Sequence, residues 1–543
     1  MLSRTVLAEE RLVPQQHATI QAAIDAAAVG DTVLVSAGRY PASLKFKPGV
    51  HVRSAGDDTV GKQGLLRAEQ TILDGSLVPE GIAPGIQLAA GATLDGFTVT
   101  NVGKYDEARW QQDHTTQGEH QPHEHIGLFG IPAIAIDGTT CTVRHNIVHH
   151  NGDTGIGIQG GEGTSCSPLV AHNICYRNMG GGIGSMRGST ALIQNNTCFE
   201  NYYAGIGHSG ASPFVLNNVC YGNIRAGIGI SEGACPIVRG NRCYHNRRAG
   251  IGIRTGAETA PVVEGNECYE NEMAGIGCEE HARPIVRNNH CHHNKLVGIG
   301  AQEGAEPLLV GNRCEENQLA GIGLRDGAHG VLVENTSTRN KTAGIGIEED
   351  AHGILLQNRC EENRLVAIGI PSGGEAYLHG NHCSRTGGMP PLVALRSGAK
   401  AVLTQNQFQG GGVAAVLIEG EVTLCDNEFI GQGPKQGTAV WVWKGSSVQL
   451  HANHFADYRK ALGAAESSVS ASENIITGFQ QTAIQVQRPS SPAHVFGNRA
   501  YSTEAKAQCA AVDEPHGIVA QNTVESPAAN GEPDSDPASP RQP

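Results

Sequence analysis

Four things are scarce in this 543-residue chain. Aromatic residues make up only 4% of it, too few for a conventional core built around large rings. No run of eighteen apolar residues occurs, so no helical membrane span is expected. There is no basic tract, and the formal charge is −14, which argues against a general nucleic-acid binder. No Cys-x-x-Cys pair is present, which weighs against a zinc or iron–sulfur module. Residues 1–16 carry Glu9, Glu10 and Arg11 and lack the apolar core of a secretory signal. A cytoplasmic location is therefore expected, or an extracellular or periplasmic one if a signal has been removed.

Glycine is abundant, at 72 residues, and it is periodic. Around Gly227 the chain reads Gly-Ile-Gly-Ile, a turn, an apolar pair, Asn-x-Cys, Asn, a second turn, and Gly-Ile-Gly again. An Asn recurs from Asn173 through Asn241 to Asn381, mostly at steps of 23 residues. A fixed period of this size marks a solenoid whose coils bury apolar faces against one another. Alternate glycines would weaken a helix, whereas a short strand with Ile228 and Ile230 facing inward suits them. Val238 and Cys243 are the inward positions of the other two strands of that coil. Stacking then produces columns. Cys175 to Cys383 form one, interrupted by Ser337, and read as small core hydrophobes, with metal ligation or inter-coil disulfides as rivals. Asn178 to Asn363 form a second Asn column, suited to turns and amide ladders.

On these repeats, and on the segment His17–Tyr40, the chain resembles the right-handed parallel β-helix superfamily of pectate lyases, mannuronan epimerases and NosD-like proteins. The resemblance implies an all-β, right-handed parallel β-helix with an N-terminal capping helix, whose apolar face is Ile20, Ala23, Ile24 and Ala27. The expected organisation is an extension over 1–16, the β-helix over 17–525 and a disordered tail over 526–543. Within the β-helix, regular coils occupy 134–385 and degenerate coils 386–525. Residues 101–130 read as an inserted polar loop.

Four places could carry chemistry. If the isoleucines face inward, both glycines of each pair, from Gly155/Gly157 to Gly344/Gly346, form an outward strip without side chains. That strip could accept an extended polysaccharide or a second copy of the chain. At its edge, Arg254, Glu279, Gln302, Arg325 and Glu348 form a mixed column. Beside it run Glu280, Glu303, Asp326 and Glu349, a like-charged row that could attract calcium. Trp441 and Trp443 are expected to face outward, where they could stack on sugar rings or form an interface. In the insertion, His120, His123 and His125 could bind a divalent metal. Pro122-His123-Glu124 resembles the Asp-Pro-His core of mannuronan epimerases, although Gln121 replaces the Asp. That resemblance implies His123 as an acid or base, suited to proton abstraction beside a carboxylate such as Glu124; clustering of both with Arg144 or His145 in a cleft would favour an enzyme.

The regular coils show no catalytic constellation of their own. A binding or scaffold role is therefore expected first. The alternatives are a carbohydrate-active enzyme (uronate epimerase, lyase or hydrolase) and a NosD-like metal-handling protein.

Overall fold

The computed structural model describes residues 8–526, apart from 80–82, 117–129, 162–165, 349 and 514–516. It divides into two compact units, residues 1–354 and 355–543. Each is a parallel β-solenoid in which successive coils contribute one strand to each of three sheets.

In the first unit the coil around Gly227 shows the plan. Ile228–Ser231 lies in the glycine sheet, Ile237–Arg239 in a second sheet and Arg242–Tyr244 in a third. Each strand pairs in parallel with its equivalent one coil on: Ile228 with Ile251, Val238 with Val263, Cys243 with Cys268. Ile228, Ile230, Val238 and Cys243 are all buried, as the alternation predicts. All fifteen cysteines are free thiols, and those of the column are buried. Burial pushes the Cys278 and Cys383 thiols up to about 12, as expected of inert core residues.

The Asn ladders form through the side-chain amides. Asn218 donates its backbone N–H and its Nδ2 to Asn241 Oδ1, and Asn241 does the same to Asn266. The left-handed backbone falls one residue ahead of each ladder Asn, at Asn217, Gly240, Gly265 and Asn288, and not on the Asn itself. The preceding residue turns the chain, which aims the Asn side chain inward.

One boundary moves. Glu10–Val13 is a strand that pairs with Thr32–Val35, so the solenoid begins inside what reads as an extension. Arg11, whose charge obscures the strand in the sequence, is held by Asp31 at 2.8 Å. The cap helix α1 (Ile20–Ala26) follows, with Thr19 as N-cap and Ile20, Ala23 and Ile24 buried. A short helix α2 spans Leu66–Gln70. The insertion contains a third helix, α3 (Glu107–Thr115), where the sequence suggests only loop. Asp106 caps α3 by accepting the Arg109 N–H, and Trp110 supplies its single large apolar anchor, too little to create a periodic signal.

In the second unit the repeat signature fades but the ladder does not. Asn406, Asn427, Asn453, Asn474 and Asn498 still bond in series. The place of the Cys column is taken by Phe408, Phe429 and Phe455, stacked at 4.8 and 4.7 Å. The last strand, Thr523–Glu525, pairs with Arg499–Tyr501. The tail expected to be disordered lies outside the described residues. Among the described residues no helix is long and apolar enough to cross a membrane.

Candidate binding groove on the glycine sheet

The two glycines of each pair do different things, and this corrects the picture of a double outward strip. The first glycine is buried at the corner of the coil. A Cβ on Gly227 would lie 2.7 Å from Gly250 O and 2.9 Å from Asn246 Nδ2. The second glycine faces out. A Cβ on Gly229 would meet nothing closer than Ala204 at 3.6 Å, and one on Gly207 nothing within 4 Å. A single column, from Gly184 to Gly346, therefore floors the face.

That face is a groove and not a flat strip. Its volume is about 490 Å³, and it runs over eight coils of the first unit. At roughly 4.8 Å per coil this is about 34 Å of floor. One wall is the column two residues after the ladder Asn: Tyr203, Arg225, Arg248, then Met273, Leu296 and Leu319. The opposite wall is the mixed column expected from the sequence. There Gln302 donates to Glu279 at 3.2 Å, and Arg325 donates to Gln302 at 2.9 Å. Arg254 leaves that ladder and pairs with Glu280.

The charge at the groove is uneven. Burial pulls the Arg225 guanidinium down to about 10, and the nearby positive charges of Arg248 and Arg254 add to this. Arg248 is lowered by burial and by Arg254. Glu279 is raised by burial, against the pull of Arg254. Three guanidiniums thus oppose one another beside a carboxyl that is reluctant to ionise. Sequence reasoning missed Arg225 and Arg248 because it followed only one edge of the glycine face. The signal was present in the position two after each ladder Asn.

Helix α3 closes in near one end. Trp110 is buried with Tyr202 and Ile224, and its Nε1 donates to Glu200 O at 2.8 Å. Arg177 lies 4.0 Å from the Trp110 ring, Arg109 donates to the Tyr202 hydroxyl at 3.0 Å, and that hydroxyl donates to Asp113. A smaller cavity between Arg109 and Tyr202 shares Asp153 and Tyr203 with the groove. Gly130 N–H, where the described chain resumes, donates to Asp153 at 2.9 Å.

The other expected site residues are placed as follows. His120, His123, Glu124 and His125 lie outside the described residues, as does Glu349. His114, from the same segment, stacks on Trp110 at 4.6 Å and lies 3.0 Å from Arg247. Arg144 and His145 both engage Asp95, at 3.0 and 3.2 Å, and Arg67 reaches the same carboxylate at 2.6 Å. Burial pushes the Asp95 carboxyl up, but the His145 hydrogen bond and the two guanidiniums outweigh it and hold it below the usual range. Glu280, Glu303 and Asp326 occupy left-handed turn positions. Glu280 is engaged by Arg254 and Thr255, and Asp326 lies 3.5 Å from Arg325. In the second unit, Trp441 and Trp443 are 39% and 49% exposed, stacked at 5.8 Å, with Val440 and Val442 buried beneath. Trp441 stands in register with Gly463, in the outward column.

One buried group beneath the groove makes a pH prediction. His208 is 3% exposed, bonds to Ser185 at 2.7 Å, and is pulled down to about 3 by burial. Between pH 6.5 and 3 the unfolded chain binds a proton that the folded chain refuses. Stability is therefore complete above pH 6.5 and falls with pH at up to about 1.4 kcal/mol per unit. His208→Ile, which copies Ile230 one coil on, removes that part of the slope in chemical denaturation followed from pH 7 to 4.

Stacked coils, three parallel sheets and internal Asn ladders make this chain a right-handed parallel β-helix repeat protein. The model of the family described as right-handed beta helix region matches residues 130–262 and 237–383. No curated protein matches the sequence. Among solved structures, the chain is similar to the A-module of Azotobacter vinelandii mannuronan C-5 epimerase AlgE4. The identity is 18%, over 66% of this chain and 88% of that one, with a TM-score of 0.37. It is also similar to the catalytic unit of an α-1,3-glucanase from Streptomyces thermodiastaticus strain HF3-3, at 12% identity over 69% and 61% of the chains and a TM-score of 0.33. A third similarity is to pre-mature gene product 12 of bacteriophage phi29, at 13% identity over 86% and 68% and a TM-score of 0.38.

Proposed function

We propose that the glycine-floored groove of the first unit binds an extended anionic polysaccharide. The observation that carries this reading is the placement of three guanidiniums, Arg225, Arg248 and Arg254, on the walls of the groove. A chain of carboxylated sugars laid along the floor would bring its carboxylates to these guanidiniums, and bidentate pairing suits carboxylates. The bare glycine floor lets sugar rings approach the backbone closely. Walls on both sides favour a narrow polymer over a flat face of a second copy.

Gly252→Leu is expected to leave the fold intact, since a Cβ there meets only Ala226 at 3.7 Å, while its side chain fills the groove. Titration calorimetry with oligouronates should show at least a tenfold loss of affinity for Gly252→Leu and for Arg248→Glu. Binding unchanged in both variants overturns the proposal.

A second reading, turnover of the same polymer, is favoured by Glu279. Its raised pKa beside Arg254 suits a general acid or base near a substrate carboxylate that an Arg neutralises. Glu279→Gln should then abolish turnover while retaining binding. Binding without turnover in the parent protein leaves the scaffold role alone.

A further inference from the structure

The third sheet carries a different cluster on its outer face. Tyr176, Phe199, Tyr221, Tyr244, Tyr269 and His292 stack in one outward column, with ring centroids 4.8–5.1 Å apart. Where the aromatic column ends, two imidazoles share one strand, His290–His292, with Cys291 turned inward between them. Their ring centroids are 4.3 Å apart. Glu267 stands directly across from His290 on the neighbouring strand. One ligand atom from each of Glu267, His290 and His292 lies within 4.8 Å of the others.

The geometry points to a divalent transition-metal site, of the zinc class, held by Glu267, His290 and His292, with Glu315 as fourth ligand. Two observations support it. First, the Nε2 atoms of both histidines are buried and have no hydrogen-bond partner among the described residues. Second, His293 and Glu316 extend the cluster. His293 Nε2 lies 3.1 Å from Glu316 Oε2, and His293 Nδ1 lies 2.8 Å from His292 Nδ1. In the tautomer in which a neutral His293 donates to Glu316, its Nδ1 accepts the Nδ1–H of His292. That leaves a lone pair on His292 Nε2, which faces Glu267 Oε1 at 3.6 Å. A lone pair and a carboxylate repel unless a cation lies between them, and a hydrogen bond at the other ring nitrogen is how metal-binding imidazoles are oriented.

Arg242 holds the far oxygen of Glu267 at 3.0 Å, leaving Oε1 for the metal. Arg313 holds Glu315 Oε1, and Oε2 lies 3.5 Å from His290 Nε2 and 3.9 Å from Arg339, which an ion at this site would have to outcompete. Two imidazoles with carboxylates suit zinc, nickel or cobalt better than calcium. The ligands come from three successive strands of the sheet, so the ion would staple three coils together.

The test is titration of the chelator-treated full-length protein with Co2+, followed by its visible ligand-field absorption, and with Zn2+, followed by Tm. The expected result is one high-affinity cobalt whose absorption persists in His120→Ala/His123→Ala/His125→Ala and disappears in His290→Ala and His292→Ala. Zn2+ should raise the Tm of the parent and not of the last two variants, whose far-UV circular dichroism should match the parent. His293→Phe, which leaves the ligands but removes the relay, should weaken binding by about tenfold to a hundredfold. Absence of binding in the parent overturns the site, as does an unchanged cobalt spectrum in His290→Ala and His292→Ala. A proton in place of the metal would show as an elevated His292 pKa by NMR with no response to Zn2+, and overturns it equally.

Discussion

Gly227→Ala should destabilise the first unit by about 3 kcal/mol, whereas Gly229→Ala, two residues away, should change stability by less than about 0.5 kcal/mol. Both glycines belong to the same Gly-Ile-Gly-Ile motif. The difference is which way the missing Cβ would point. At Gly227 it would meet Gly250 O at 2.7 Å, Asn246 Nδ2 at 2.9 Å and Cys243 Cβ at 3.0 Å. Two of these are a backbone oxygen and the base of a side chain, which cannot swing aside, and the third is a ladder amide with bonds of its own. Relief requires the corner of the coil to open, and the next coil follows because its strands are in register with this one. At Gly229 the nearest atom is Ala204 Cβ at 3.6 Å, an ordinary contact. Guanidinium denaturation of the two variants, read by far-UV circular dichroism, separates them. Equal effects would mean that the first glycine is not confined at the corner. Solenoids need not unfold in one step, so hydrogen exchange near residue 227 provides a local readout of the same difference.

Asn241→Ala should cost about 4 kcal/mol, more than an ordinary buried truncation of its size. Asn241 Oδ1 receives both the backbone N–H and the Nδ2 of Asn218, at 2.8 and 3.0 Å. Its own Nδ2 donates to Val215 O at 2.9 Å and to Asn266 Oδ1 at 3.0 Å. Truncation therefore strands two donors of one coil and removes a donor from three acceptors, the third being Arg239 O at 3.2 Å, almost all of it inside the solenoid where water does not reach. Asn241→Asp keeps the acceptor but loses the donors and introduces a buried charge, so it should be no better. The measurement is the denaturation midpoint, together with exchange of the Asn218 amide, whose protection should fall first. An unchanged midpoint would mean that the ladders follow from the coil and do not hold it. The same substitution at Asn427, in the coils where the sequence repeat has faded, should cost a similar amount, because its bonds to Asn453 and Leu403 are of the same length.

The repeat alone determined the architecture. A 23-residue period with Gly-Ile-Gly and paired asparagines leaves few ways to bury isoleucine, valine and cysteine together, so the inward positions Ile228, Val238 and Cys243 and both amide ladders could be read before any coordinates. These features are local and repeated, and each copy reinforces the next. Features that occur once were harder to read. The strand Glu10–Val13 is hidden by charges that Asp31 neutralises, and α3 is held by one tryptophan, which no periodicity announces. Left-handed turns fall on the residue before each ladder Asn, a shift of one that only backbone angles reveal.

The candidate sites were decided by tertiary structure for a related reason. The groove depends on which of the two glycines in each Gly-Ile-Gly faces out, and that follows from how tightly neighbouring coils meet at the corner. Arg225 and Arg248 come from successive coils of one wall and Arg254 from the wall opposite, and they become one charged cluster only when those coils stack. Glu267, His290, His292 and Glu315 likewise come together across three strands of one sheet. A sequence read along one dimension shows each of these residues as an isolated charge on a turn or an outer face; stacking at the spacing of a β-sheet makes neighbours of residues 23 to 25 positions apart.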